Sequence, residues 1–360
     1  MKRAATIISL ILMAAFGCGM LQADPRVTPG TKSLPLPGEA FRLNGHDAFV
    51  ILPDEARSGT PWVWYAPTLR GLPSGAETWM FERFLAKGIA IAGIDVGESY
   101  GAPAGRAIYD SFYQHLVGTR EFGTKPVLLA RSRGGLMLYS WAVENPRSVG
   151  AVAGIYPVCN LASYPGLERA AGTYQMTAAE LEAALAEHNP IDRLAPLAGA
   201  RVPIRHIHGD SDRVVPLEAN SAELAERYKA LGGPVEVEVV PGQGHNMWAG
   251  WFQSQALTDF VIEHALRPAT PESNPVPKAG ATVTMTGRLV GGIMAIGGET
   301  TGWRLTYPTQ QGKATIEVDM KGIKNAGSYD GRKVTITGTI VSKSYVERGT
   351  VLILKASTVS

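Results

Sequence analysis

The sequence predicts a mostly parallel α/β sheet covered by helices on both faces, followed by a small all-β domain. Three observations carry this prediction. Up to residue 266, apolar β-rich runs alternate with helical stretches. Residues 267–277 then hold four prolines in eleven positions, which neither a helix nor a central strand accommodates. Beyond them the hydrophobic period becomes two, most plainly in Val334-Thr335-Ile336-Thr337.

Taken in order, strands are expected at 48–52, 62–66, 89–94, 127–130, 149–157, 202–207 and 235–240. Several are apolar on both faces, as strands sandwiched between helices must be. Helices are expected at 76–86, 134–144, 219–231 and 248–266, and Thr177-x-x-Glu180 is a capping-box start to another. After the linker, five short runs at 282–289, 302–307, 314–320, 333–340 and 350–355 alternate between glycine-rich turns. That texture suggests a barrel of the oligonucleotide/oligosaccharide-binding (OB) type, with a short sandwich as the alternative. The expected division is an N-terminal segment at 1–23, an α/β domain at 24–267, a linker at 268–277 and a barrel at 278–360.

Composition narrows the function classes. Of 360 residues 45% are hydrophobic and 18% charged, which is enough apolar material for a sizeable core and excludes disorder. Two cysteines cannot form a disulfide scaffold or a four-thiolate zinc site. The start, Met1-Lys2-Arg3 followed by an apolar stretch and small residues to Ala23, reads as an export signal for a periplasmic or extracellular protein. Lipidation at Cys18 is the minority alternative, and no membrane span is expected. Without Lys2 and Arg3 the net charge is zero, which argues against a nucleic-acid binder. The charge is uneven, however, because residues 278–360 carry eleven Lys/Arg against five Asp/Glu.

The chemistry concentrates where a strand meets a helix, at Val127-Leu-Leu-Ala-Arg-Ser-Arg-Gly-Gly135. Ser132 sits at the turn, with small Ala130, Gly134 and Gly135 where two backbones approach closely. This is the G-x-S-x-G nucleophile elbow with alanine in the first glycine position. An acid follows a later strand, in His208-Gly-Asp-Ser-Asp-Arg-Val-Val-Pro216, and His245 follows the next, in Pro241-Gly-Gln-Gly-His-Asn-Met-Trp248. Serine, acid and histidine in that order suit acyl transfer: imidazole removes the hydroxyl proton, and the carboxylate fixes the imidazole tautomer.

On these motifs residues 46–266 resemble the α/β-hydrolases, near the prolyl-oligopeptidase-like and dienelactone-hydrolase-like branches. The G-x-x-D-x-x-V-P motif of those families maps the acid onto Asp212, leaving Asp210 to cap its own loop. The resemblance implies an oxyanion hole from the Arg133 N–H and a second N–H of loop 67–71. Pro67 has none to give, so Thr68 or Leu69 is the expected donor. It also implies a shallow pocket roofed by residues 158–200, with Tyr156, Tyr164 and Trp248 as aromatic walls or as core. Arg131 and Arg133 bracket the serine, either as solvated charges or as guanidinium groups facing a substrate carboxylate. Ser-Arg in the elbow is similar to glucuronoyl esterases, a two-residue likeness.

His206-Ile-His208-Gly-Asp210 partly matches a binuclear zinc motif, but Ser211 stands where that motif has histidine. The two histidines are therefore expected to pack at a strand end, and no metal or cofactor is expected. The expected function is a secreted serine hydrolase cleaving a carboxylic ester, carried by a small molecule or a polysaccharide. One alternative is a prolyl-oligopeptidase-like peptidase acting on short peptides, expected to lack that family's propeller. Another is a non-catalytic polymer-binding protein, with Trp303 and Tyr307 in a barrel strand as candidate contacts or core.

Overall fold

The computed structural model describes residues 26–267, 279–295, 298–309 and 312–360. The expected export segment at 1–23, with Cys18, and the expected linker at 268–277 lie outside the described residues. The chain divides into two compact units between Leu266 and Arg267.

The first unit is built on a nine-stranded sheet in the order β1-β2-β3-β5-β4-β6-β7-β8-β9. Its strands are β1 (Val27–Pro29), β2 (Glu39–Leu43), β3 (His46–Ile51), β4 (Trp62–Tyr65), β5 (Ala90–Ile94), β6 (Val127–Arg131), β7 (Ala151–Ile155), β8 (Ile204–Gly209) and β9 (Val235–Val240). β3 pairs antiparallel with β5, while β5, β4, β6, β7, β8 and β9 run parallel. Alternate residues of β4 serve opposite faces, because strand side chains alternate. Trp62 and Trp64 enter one core, Val63 and Tyr65 the other. The first core is closed by α2 (Pro103–Gln114), α3 (Gly134–Glu144) and α8 (Glu223–Ala230), the second by α1 (Thr78–Ala86) and α10 (Gln255–Leu266).

Three features differ from the sequence reading. The edge strands β1 and β2 escape it because only Phe41 and Leu43 of β2 are buried, too few to mark a strand. Helix α2 is masked by a polar face, although Tyr109 and Phe112 bury in the core and Pro103 opens its first turn. The stretch 248–266 is two helices, α9 (Ala249–Phe252) and α10, because Ser254 accepts from the Leu257 N–H and starts a new helix. Between β7 and β8 lie α4 (Leu167–Ala170), α5 (Ala178–Ala183), α6 (Leu185–His188) and α7 (Ala195–Gly199). The capping box at Thr177 and Glu180 forms at the start of α5.

The second unit is a closed five-stranded barrel. Its strands are β10 (Thr282–Val290), β11 (Arg304–Thr309), β12 (Gly312–Asp319), β13 (Lys333–Tyr345) and β14 (Gly349–Val359). The strand order is β10-β11-β12-β14-β13, with β12 and β14 parallel and the remaining pairs antiparallel. Met285, Leu305, Val318, Ile336 and Leu354 fill the interior. Tyr307 is buried in that core and Trp303 is packed half-buried against it, so Tyr307 offers no ring to a ligand. Among the described residues no helix is long and apolar enough to cross a membrane.

Candidate active site

Ser132 occupies the tight turn between β6 and α3 with φ +49°, a left-handed backbone that costs a non-glycine residue about 1–2 kcal/mol. The surroundings hold it there. Its N–H donates to Ile155 O at 3.0 Å, and its carbonyl accepts from Val158 N at 2.8 Å and Gly135 N at 3.0 Å. A Cβ on Gly135 would sit 2.2 Å from Val158 O, so only glycine lets the elbow close on the loop after β7.

The turn presents Ser132 Oγ 2.9 Å from His245 Nε2. His245 Nδ1 in turn lies 2.8 Å from Asp212 Oδ2. An ionised carboxylate only accepts, so the proton belongs on Nδ1 and the Nε2 lone pair faces the serine hydroxyl. The other carboxylate oxygen accepts from Val214 N at 2.9 Å and Val215 N at 2.8 Å. Burial would raise the Asp212 carboxyl, but hydrogen bonds from His208, His245 and the Val215 N–H hold it well below the usual carboxylate range. The arrangement can therefore withdraw the serine proton and steady the imidazolium that forms.

Asp210 takes no part in this contact. Its Oδ1 accepts from Gly242 N at 2.7 Å, pinning the loop that carries His245. A Cβ on Gly209 would meet Gln243 O at 2.1 Å, so the loops after β8 and β9 touch backbone to backbone.

Of the expected oxyanion donors, Arg133 stands at the N-terminus of α3, where helix N–H groups lack intrahelical partners. Thr68 is buried beside it: its Cγ2 lies 3.3 Å from where a Gly134 Cβ would stand. Leu69 is more than half exposed and turns its side chain outward.

The flanking residues depart from the sequence expectation. Arg131 does not present a spare cation, because its Nη1 donates at 2.6 Å to Glu77, whose side chain is 1% exposed. Glu77 also accepts from Tyr65 Oη at 2.9 Å and from Ser74 N and Oγ at 2.8 and 2.9 Å. The rest of the Arg131 guanidinium meets Met247 Sδ at 2.8 Å and the face of Phe252. Arg133 pairs with Glu98 at 2.5 Å in a more exposed setting. Tyr156, expected as a pocket wall, is buried with its ring centroid 4.4 Å from that of His245, so it supports the imidazole from the side. Trp248 is exposed, stacked edge-on against Trp251, and Met247 is exposed beside it. Tyr164 packs half-buried against the cluster of Tyr100, Leu161 and Tyr174.

Sequence reasoning misses Glu77, Ser221 and Met247. Glu77 had a readable signal, since Ser74-Gly-Ala-Glu77 is a capping box and both of its hydrogen bonds form. His206 and His208 are not simple packing residues. Both are fully buried, and each has both ring nitrogens in hydrogen bonds to Tyr139, Ser221 and Val215 O. No ring nitrogen of either is left to take a metal ion.

No protein-family profile and no curated protein matches the chain. Solved structures do. Dipeptidyl peptidase 4 of Porphyromonas gingivalis aligns over 63% of this chain and 35% of its own length, at 13% identity and TM-score 0.53. A puromycin-hydrolyzing peptidase of Mycobacterium tuberculosis aligns over 65% of this chain and 42% of its own, at 18% identity and TM-score 0.52. Est1E from Butyrivibrio proteoclasticus aligns over 64% of this chain and 99% of its own, at 16% identity and TM-score 0.49. The chain thus spans less than half the length of the two peptidases. Its first unit has the α/β-hydrolase fold.

Proposed function

We propose that this protein is an exported serine hydrolase that cleaves carboxylic esters through an acyl-enzyme. The single observation that carries the reading is the unbroken contact from Ser132 Oγ to His245 to buried Asp212, mounted on a strained turn that aims the hydroxyl outward. Ser132 attacks the carbonyl while His245 takes its proton and returns it to the leaving group. Asp212 holds the Nδ1–H tautomer. The N–H groups of Arg133 and of Thr68 or Leu69 receive the oxyanion, each worth roughly 3 kcal/mol in the transition state.

The peptidase names among the solved structures favour a second reading, hydrolysis of short peptides. One experiment addresses both. Wild type and Ser132→Ala are labelled with a fluorophosphonate probe, then assayed on p-nitrophenyl acetate, neutral and uronate sugar esters, and dipeptide amides. Loss of labelling and of ester turnover in Ser132→Ala is expected. Labelling that persists in that variant refutes the nucleophile, and turnover confined to the amides selects the peptidase. The positive excess of residues 278–360 supports a further part of the reading, in which the barrel retains an anionic polymer near the site. Retention on an acidic polysaccharide column that weakens with salt is the corresponding measurement. Export follows from the basic and apolar start, and N-terminal sequencing of secreted material tests it.

A further inference from the structure

Behind the proposed triad runs a second line of polar side chains that the mechanism above does not use. His206 and His208 share with Ile204 the β8 face that packs beneath α3 and α8, and both are fully buried. Gly154 lies opposite His206 in the β7–β8 register and makes room for it, since a Cβ there would stand 2.5 Å from His206 Cδ2. Ser221, in the turn before α8, lies between the two rings, 2.9 Å from His206 Nδ1 and 2.8 Å from His208 Nδ1. Tyr139 of α3 closes one end at 2.7 Å from His206 Nε2. At the other end His208 Nε2 is 2.8 Å from Val215 O and 3.5 Å from Asp212 Oδ2.

Hydrogen-bond accounting orders these protons one way. Val215 O can only accept, so His208 carries its proton on Nε2 and leaves Nδ1 as an acceptor. The single Ser221 hydroxyl proton must then go to His208 Nδ1. His206 accordingly donates its Nδ1–H to Ser221 Oγ and accepts at Nε2 from the Tyr139 hydroxyl. Every member is satisfied, and the chain points toward Asp212. The reversed order would set the His208 Nε2 lone pair against both Val215 O and the carboxylate.

We propose that His208 is a positioning residue for the triad, its Nε2–H held by Val215 O and set 3.5 Å from the same Asp212 oxygen that holds His245, and that Tyr139, His206 and Ser221 keep that tautomer. This rests on the serine-hydrolase reading of Ser132, Asp212 and His245. An N–H dipole beside Asp212 Oδ2 draws charge from the carboxylate and so competes with the His245 N–H for it.

Other titratable groups face this set. From the loop after β7 comes Tyr156, with Arg131 and Glu77 behind it. Beyond Ser221 are His206 and Tyr139, the latter beside Cys159 and Tyr228. Burial, with His208 adding to it, pushes His206 down to about 3. Burial also pushes Tyr139, Tyr156, Tyr228 and Cys159 upward. None of these five changes charge between pH 5 and 8.

The test is the pH profile of kcat/KM on p-nitrophenyl acetate for wild type, His208→Phe, His208→Gln and Ser221→Ala, with NMR titration of His245 in the same full-length proteins. His208→Phe should raise the acid-limb pKa by about one unit, the scale of one hydrogen bond to a charged group, with KM unchanged, while Ser221→Ala, which leaves Val215 O to hold the Nε2–H, should move it less. His208→Gln keeps an N–H near the imidazole Nε2 position and should restore the wild-type limb. A merely structural role would lower the amount of active protein without moving the limb. Coincident profiles for wild type and His208→Phe overturn the proposal, as does a His208→Gln profile displaced like that of His208→Phe. Should His208→Phe fail to fold, His208→Leu, smaller and equally without an N–H, decides in its place. If wild type turns over no ester, the hydrolase reading fails, and the His245 titration still decides whether His208 tunes it.

Discussion

Replacing Glu77 by glutamine tests what Arg131 does beneath the elbow. Glu77 is fully buried and its carboxylate accepts four hydrogen bonds, from Tyr65, from Ser74 N and Oγ, and from Arg131 at 2.6 Å. Glutamine keeps the shape but removes the charge, and the Arg131 side chain, only 14% exposed, is left with neutral partners alone, the amide, Met247, Phe252 and the Tyr156 hydroxyl. Breaking one partner of a buried ion pair costs about 3–5 kcal/mol. The residual exposure of Arg131 places this case near the lower end, about 3 kcal/mol. For a unit of this size each kcal/mol lowers Tm by about 2–4 °C, so Tm should fall by about 6–12 °C. The assay is a thermal and urea unfolding series at pH 7 on wild type, Glu77→Gln, Arg131→Met and the double variant. The double variant should recover most of the loss, because it leaves neither charge buried alone. A Glu77→Gln cost below about 0.5 kcal/mol, or strict additivity in the double variant, would refute the ion pair as the clamp of the elbow.

Four further outcomes are expected. Asp212→Asn should lower kcat on p-nitrophenyl acetate by roughly 10⁴ through the wrong His245 tautomer, while Asp210→Asn, which keeps an oxygen to accept from Gly242 N and Ser211 Oγ, should cost far less; steady-state kinetics giving the reverse ranking assigns the acid to Asp210. Arg133→Ala, which also leaves Glu98 without its partner, should reduce kcat/KM for uronate esters about 10- to 150-fold more than for neutral esters; equal losses on both substrates leave Arg133 no role in reading a carboxylate. Gly135→Ala should abolish turnover and lower Tm, since its new Cβ cannot coexist with Val158 O; a fully active, stable variant would show that the elbow can open. The folded protein refuses a proton at His206 until about pH 3, whereas the unfolded chain takes it up near 6.5. His206 should therefore remove stability as pH falls through that window, by about 1.4 kcal/mol per pH unit, and His206→Leu should show a shallower acid slope in urea unfolding.

Much of this architecture is written locally. Runs apolar on both faces mark the central strands, and the Ala130-x-Ser132-x-Gly134-Gly135 stretch marks a turn where a strand and a helix nearly touch. The order of Ser132, Asp212 and His245 along the chain carries the rest of the candidate site. Edge elements are less legible. β2 offers two buried side chains, and α2 presents a polar face, so neither pattern rises above that of a loop.

The sequence by itself determined periodicity, turn chemistry and the order of reactive side chains, because these depend on neighbours within a few residues. Partnership across the sheet was decided only by tertiary structure. Nothing in Arg131 tells that its charge is met by Glu77, 54 positions earlier and brought beneath the elbow by the turn leading into α1. Nothing in His208 tells that it faces Asp212, since that contact depends on the loop after β8 folding back over the strand end. Tyr307 alternates like a ligand-facing ring until closure of the barrel turns its face inward. A charged or polar side chain alone costs free energy when buried, so its role is set by whichever partner packing places against it.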